Sequence, residues 1–179
     1  MNQLERLSKH YRCLVRGWVV RVVVGILALL GAATSAAAAA EPSLLHAGDR
    51  VVVVGDSITG QSLGGGYVAL MREALRHVHP DTKTTLTPLG GSGQTVGSWL
   101  NVEKESRQRN MTLDIPKVDV KETLDGGAEV VIIMLGMNNV LSPDMGNTPD
   151  DVKRWIGYYR TLIGALRERT HPRVIALAT

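Results

Sequence analysis

The stretch VVVVGDSITGQS, Val51–Ser62, decides how the chain is read. Four successive valines after Arg50 are apolar on both sides of an extended backbone, the pattern of a strand buried inside a parallel sheet. A glycine, an acid, a serine and, three residues on, a second glycine follow at once. Parallel α/β sheets place their ligand crevice at the carboxyl ends of the strands, so Ser57 stands where such folds do their chemistry. Three readings compete: a phosphate loop, a nucleophile at a strand end, and a turn with a capping serine.

Gly55–Ser62 reads GDSITGQS against the phosphate-loop pattern G-x-x-x-x-G-K-[ST]. Gln61 replaces the lysine whose charge reaches the outer phosphates, and a neutral amide cannot do that work. A nucleotide-binding module stays open as a rival class, and Gln61→Lys creating nucleotide affinity would reveal a loop of that shape. The nucleophile elbow G-x-S-x-G fails as well, because Thr59 stands where its second glycine belongs.

Downstream, Tyr67, Leu70, Met71, Ala74, Leu75 and Val78 form a helical stripe over Tyr67–Val78, ended by HPD at His79–Asp81. Lys83–Leu89 is a strand candidate, and Glu129–Leu135, EVVIIML, is the strongest strand in the chain. Thr148 opens a helix, with Pro149 in its first position and Asp151 completing a capping box. Val152, Trp155, Ile156, Tyr159, Leu162, Ile163 and Leu166 keep helical spacing and are expected to face the sheet as core. Arg173–Thr179, RVIALAT, starts a further buried strand. Residues 98–124, polar and holding Pro116, predict a loop with one or two short helices. Strands alternating with helices argue for a parallel α/β sheet in one domain.

Two further strand ends resemble the first. LGGSGQT, Leu89–Thr95, frees backbone N–H groups to approach a bound oxygen, and LGMNNV, Leu135–Val140, brings asparagine amides to the same edge. A serine with two kinds of oxyanion donor is the set that acyl transfer requires.

The blocks GDSIT, GGSGQT and LGMNN resemble the first three blocks of the SGNH hydrolases, the GDSL-type esterases and lipases, over about Arg50–Thr179. The resemblance implies a flavodoxin-like three-layer α/β/α sandwich with a parallel sheet, and ester hydrolysis through an acyl-serine. It assigns Ser57 as nucleophile, the Gly93 backbone N–H and the Asn138 side-chain amide as oxyanion donors, and Asp56 as a supporting residue. Two departures stand out. Asn139 occupies the aspartate position of the third block, G-x-N-D. The fourth block, Asp-x-x-His, occurs nowhere in the sequence, although a serine hydroxyl is a weak nucleophile without a neighbouring base. His46, His77, His79 and His171 lie before strands or in helix-to-strand turns, at the edge opposite Ser57. A His77-x-His79 metal pair reads instead as a solvated helix end. The expectation is the N-terminal portion of an SGNH hydrolase domain, truncated at the C-terminus. The alternative is a catalytically inactive fragment or carbohydrate-binding remnant.

The first forty residues predict an address. Arg6, Lys9, Arg12, Arg16 and Arg21 precede an apolar run, Val22–Ala33, and a small-residue tail, the order of a secretory signal peptide cleaved after Ala40. The run is shorter than the roughly 20 residues of a spanning helix, so no stable membrane anchor is expected after cleavage. That leader holds five of the 20 Lys+Arg and one of the 17 Asp+Glu, leaving 15 against 16, a net of −1. The basic balance therefore argues for no nucleic-acid partner. Cys13, the single cysteine, also lies in the leader, so residues 41–179 have no disulfide or thiol chemistry. An exported protein acting on a small-molecule or carbohydrate ester, with no cofactor or metal, is the expectation. The sequon NMT at Asn110–Thr112 matters only in a eukaryotic secretory route.

Overall fold

The computed structural model describes residues 44–61, 65–113, 117–142, 146 and 148–178. The leader, Ser62, Pro116 and Thr179 lie outside these residues. Strand β1 is Arg50–Gly55 and occupies the interior of a parallel sheet of order β2-β1-β3-β4, with β2 at Thr85–Gly90, β3 at Val130–Met134 and β4 at Val174–Leu177. That order is the doubly wound, flavodoxin-like one. Pro88 falls in β2, an edge strand that pairs only with β1, which is where a residue without an N–H is tolerated.

The valines of β1 divide by parity. Val52 and Val54 join Trp99, Leu124, Ile133, Leu162 and Leu166 on one face, whereas Val51 and Val53 join Val68, Leu86 and Val130 on the other. The larger cluster lies under helices α3 (Val96–Ser106), α4 (Val120–Asp125) and α6 (Pro149–Thr170). The smaller lies under α2 (Tyr67–Val78). Helices on both faces make the three layers. Two short helices, α1 (Ser57–Gly60) and α5 (Met137–Leu141), complete the described set, with a 3₁₀ turn at Pro80–Thr82.

Two stripe assignments need correction. Val152 and Ile156 of α6 are exposed, while Tyr159, Leu162 and Leu166 are buried. At 3.6 residues per turn Ile156 lies roughly 90° round the helix from the centre of that buried row, so it faces outward. Leu70, Ala74 and Val78 of α2 are likewise exposed. Residues 98–124 hold the two helices allowed for there, α3 and α4, but α3 is longer than the short helix expected, running eleven residues from Val96. Its buried face is Val96, Trp99, Val102, Glu103 and Ser106, and two polar members conceal the apolar repeat. The capping box at Thr148 and Asp151 forms as expected.

Among the described residues no helix is long and apolar enough to cross a membrane.

Candidate active site

The sheet register sets the site. Gly55 of β1 pairs with Gly90 of β2 and with Met134 of β3, so three loops leave the carboxyl edge at one height. Each strand end then turns tightly against its neighbour. A Cβ on Gly55 would lie 1.9 Å from Thr59 Oγ1, and one on Gly90 would lie 2.2 Å from Gly60 N and 2.6 Å from Asp56 O. Only glycine at Gly90 lets β2 approach the backbone of α1 this closely.

Asp56 is buried and caps α1, its Oδ1 accepting the Ile58 N–H at 2.9 Å. Ser57 is thereby the first residue of α1, half-buried, and its hydroxyl has no hydrogen-bond partner among the described residues. The capping-serine reading thus fails, because the acid beside it is the cap. Thr59 and Tyr67 share a hydrogen bond of 2.8 Å that ties α1 to α2. Burial raises the pKa of the Tyr67 phenol, the Thr59 bond partly offsets that, and the Asp56 charge adds to the rise.

The loop after β2 turns at Gly91, whose carbonyl accepts the Gln94 N–H at 3.3 Å. Gly93 sits exposed at φ +69°, a conformation that favours glycine, and its N–H has no partner among the described residues. Thr95 then caps α3 in a reciprocal box with Ser98. Trp99 of α3, fully buried, donates its Nε1–H to the Gly55 carbonyl at 2.8 Å and anchors the helix to the end of β1.

The third loop closes the arrangement. Asn138 Nδ2 donates to the Gln94 carbonyl at 3.0 Å and approaches Asp56 Oδ2 at 3.5 Å. One side chain thus links all three strand ends. Asn139 Oδ1 accepts the Val96 N–H at 3.0 Å, an acceptor role that an aspartate oxygen would also fill. Gly136, at φ +136°, precedes α5 and lets the chain turn there. Ile58 and Met137, beside Ser57 and Asn138, are exposed apolar side chains on the rim.

Ser57, Gly93 and Asn138 therefore emerge together at the carboxyl edge. Sequence reasoning missed the Gln94 carbonyl, the Tyr67–Thr59 pair and the Trp99 anchor. The Thr95-x-x-Ser98 spacing could have marked the start of α3, and no local pattern marks the other contacts. The histidines lie elsewhere. His77 Nδ1 is 3.0 Å from the Glu73 carbonyl, His79 follows α2, His171 ends α6 at φ 49° and His46 precedes β1. None of the four hydrogen-bonds Ser57. No three His, Cys, Asp or Glu side chains among the described residues converge as metal ligands.

No family model matches the sequence, and no curated protein matches it. Solved structures do share the fold. Axe2, an acetylxylan esterase from Geobacillus stearothermophilus, is 22% identical with a TM-score of 0.55, over 75% of this chain and 61% of its own. A catalytic mutant of the same enzyme gives 23% identity at the same TM-score of 0.55. The acetyl xylan esterase AlAXEase is 24% identical with a TM-score of 0.52, over 72% of this chain and 56% of its own. The chain thus spans less than two thirds of these neighbours, and what it shares with them is an α/β fold found in ester hydrolases.

Proposed function

We propose that the protein is an exported serine ester hydrolase of the SGNH (GDSL) type, acting on acetylated carbohydrate or another carboxylic ester. The observation that carries this reading is the Asn138 amide, held by Gln94 and near Asp56, which gathers three strand ends around Ser57. Ser57 Oγ attacks the ester carbonyl carbon, and the carbonyl π pair moves onto oxygen. That oxyanion takes hydrogen bonds from the Gly93 and Ser57 N–H groups and from Asn138. The second Asn138 hydrogen, facing Asp56 across 3.5 Å, is weakly engaged and can turn to the developing charge. The oxyanion collapses to a carbonyl as the C–O bond to the alcohol breaks, and the alcohol leaves with the proton lost by Ser57 Oγ. Water then attacks the acyl-serine, its proton returns to Ser57 Oγ and the acid is released.

The reading assigns no general base among the described residues. That observation favours the second reading, a carbohydrate-binding domain that keeps the crevice without catalysis. Hydrolysis of p-nitrophenyl acetate separates the two, measured on residues 41–179 and on a chain extended through the downstream reading frame. Activity lost in Ser57→Ala and reduced about 10²-fold in Asn138→Ala supports the hydrolase. A folded, inert extended chain leaves the binding domain. Export is tested by sequencing the N-terminus of secreted protein, which should begin at Glu41.

A further inference from the structure

A cleft of about 300 Å³ lies beside the site, between the first turns of α3 and α6 and the end of α5. Its walls include Thr95, Asn139, Asp151, Arg154, Trp155 and Tyr158. The volume is at the small end of the range for ligand pockets. Two of these residues are one step from the site: Thr95 follows Gln94, whose carbonyl holds Asn138, and Asn139 follows Asn138 itself. Thr95 and Asn139 thus set one wall of the cleft next to the Gln94–Asn138 hydrogen bond, and Asn139 is itself bonded to Val96 at the start of α3.

Its chemistry selects among ligands. The Arg154 guanidinium is paired with the Asp151 carboxylate, which also caps α6 through Thr148, so the described lining presents no uncompensated charge to an anion. Among the described residues no aliphatic side chain lines it, so these walls offer little to an acyl chain. What it offers is hydroxyl, amide and guanidinium groups beside aromatic rings. Trp155 packs edge-to-face on Tyr159, with centroids 5.2 Å apart, and is fixed in the wall. Tyr158 is 45% exposed, although its neighbour Tyr159 is buried. An exposed ring beside bidentate polar groups suits a neutral polyhydroxylated ring, whose C–H face stacks while its hydroxyls hydrogen-bond.

We propose that this cleft is a sugar subsite, holding the alcohol side of the ester, with Tyr158 as its stacking platform and Arg154 and Asn139 as hydroxyl partners. The assignment rests on the hydrolase reading, and the test keeps the two apart. Xylotriose, a neutral sugar without an ester, is titrated into the 179-residue protein and followed by tryptophan fluorescence. Labelling of Ser57 by a fluorophosphonate is measured separately. The expected result is saturable binding that Tyr158→Ala weakens about tenfold, Tyr158→Phe leaves within about twofold, and Arg154→Ala weakens several-fold. Binding with that pattern supports the subsite whether or not Ser57 is labelled. Labelled Ser57 without sugar binding overturns the subsite and leaves the hydrolase reading standing. Binding indifferent to both Tyr158→Ala and Arg154→Ala places the sugar elsewhere and also overturns it, as does a preference for glucuronic acid over the neutral sugar.

Discussion

At the amino edge of the sheet the strand starts are joined by ion pairs, Asp49 with Arg173 at 2.7 Å and Arg50 with Glu129 at 3.1 Å. At the carboxyl edge the strand ends are joined by amide and backbone hydrogen bonds around one carboxylate, Asp56. The helix ends follow the same division. The C-termini of α3, α4 and α6 meet at Arg169, which bonds Asp125 Oδ1 at 2.7 Å, Ser106 Oγ at 2.7 Å and the carbonyls of Glu103 and Ser106 at 3.2 Å. A buried guanidinium thus satisfies the last carbonyls of α3, which have no partner within the helix. On the carboxyl edge, by contrast, the Gly93 N–H has no partner among the described residues. One edge matches its polar groups and fixes the fold. The other leaves the Gly93 N–H unmatched among the described residues.

The largest loss of stability is expected from the matched edge. Arg169 is 4% exposed, and Arg169→Ala strips three helix ends of a shared partner while Glu103, itself 6% exposed, keeps only Arg107. Breaking a buried charged cluster of this kind costs about 3–5 kcal/mol, readable as a lower urea midpoint. A loss below about 1 kcal/mol would show that water replaces Arg169 without difficulty. Gly90→Ala tests the opposite edge. Its Cβ meets backbone atoms, which cannot rotate away, so a loss of about 1–3 kcal/mol is expected, with Ser57 labelling falling in parallel. Unchanged stability would mean that β2 and α1 are not pressed together.

Acid should act on the amino edge. The Arg173 bond holds the Asp49 carboxyl below its ordinary range, with burial pushing the other way. Because the folded pKa lies below the unfolded 3.8, this stabilisation is fully present above that value and disappears as pH falls through the folded one. Asp49→Asn should therefore lower the urea midpoint at about pH 6, and the gap to the parent should narrow as the pH falls below 3.8. A gap that keeps its size over that range would rule out the carboxylate as its source.

What was legible in the sequence follows a similar line. The valines of β1, the capping box at Thr148 and Asp151, and the three loops that carry Ser57, Gly93 and Asn138 at one sheet edge are local patterns, each read from a few adjacent residues. The roles of those three residues came from the family resemblance. What stayed hidden depends on distant partners. Gly90 must be glycine because of Gly60, thirty residues earlier. The helix at Val96–Ser106 was obscured because its inner face includes Glu103 and Ser106, acceptable there only because Arg107 and Arg169 arrive to bond them. Val152 and Ile156 look like core in a periodicity count, and only the rotation of α6 on the sheet shows that they are not.

The smallest expected effect concerns the departure at Asn139. Its Oδ1 accepts from Val96, the first residue of the eleven-residue helix α3, where the helix dipole favours negative charge. Asn139→Asp keeps that acceptor and adds charge at a helix N-terminus, so it should stabilise the protein by about 0.5 kcal/mol, less at high salt. A second carboxylate would then sit on an edge that otherwise holds only Asp56 among its strand-end residues. If the variant instead loses about 1 kcal/mol or more, the amide hydrogens of Asn139 do work that no carboxylate can. The carboxyl edge would then be matched donor for acceptor, much as the amino edge is, and its openness would reduce to Gly93 and Ser57 alone.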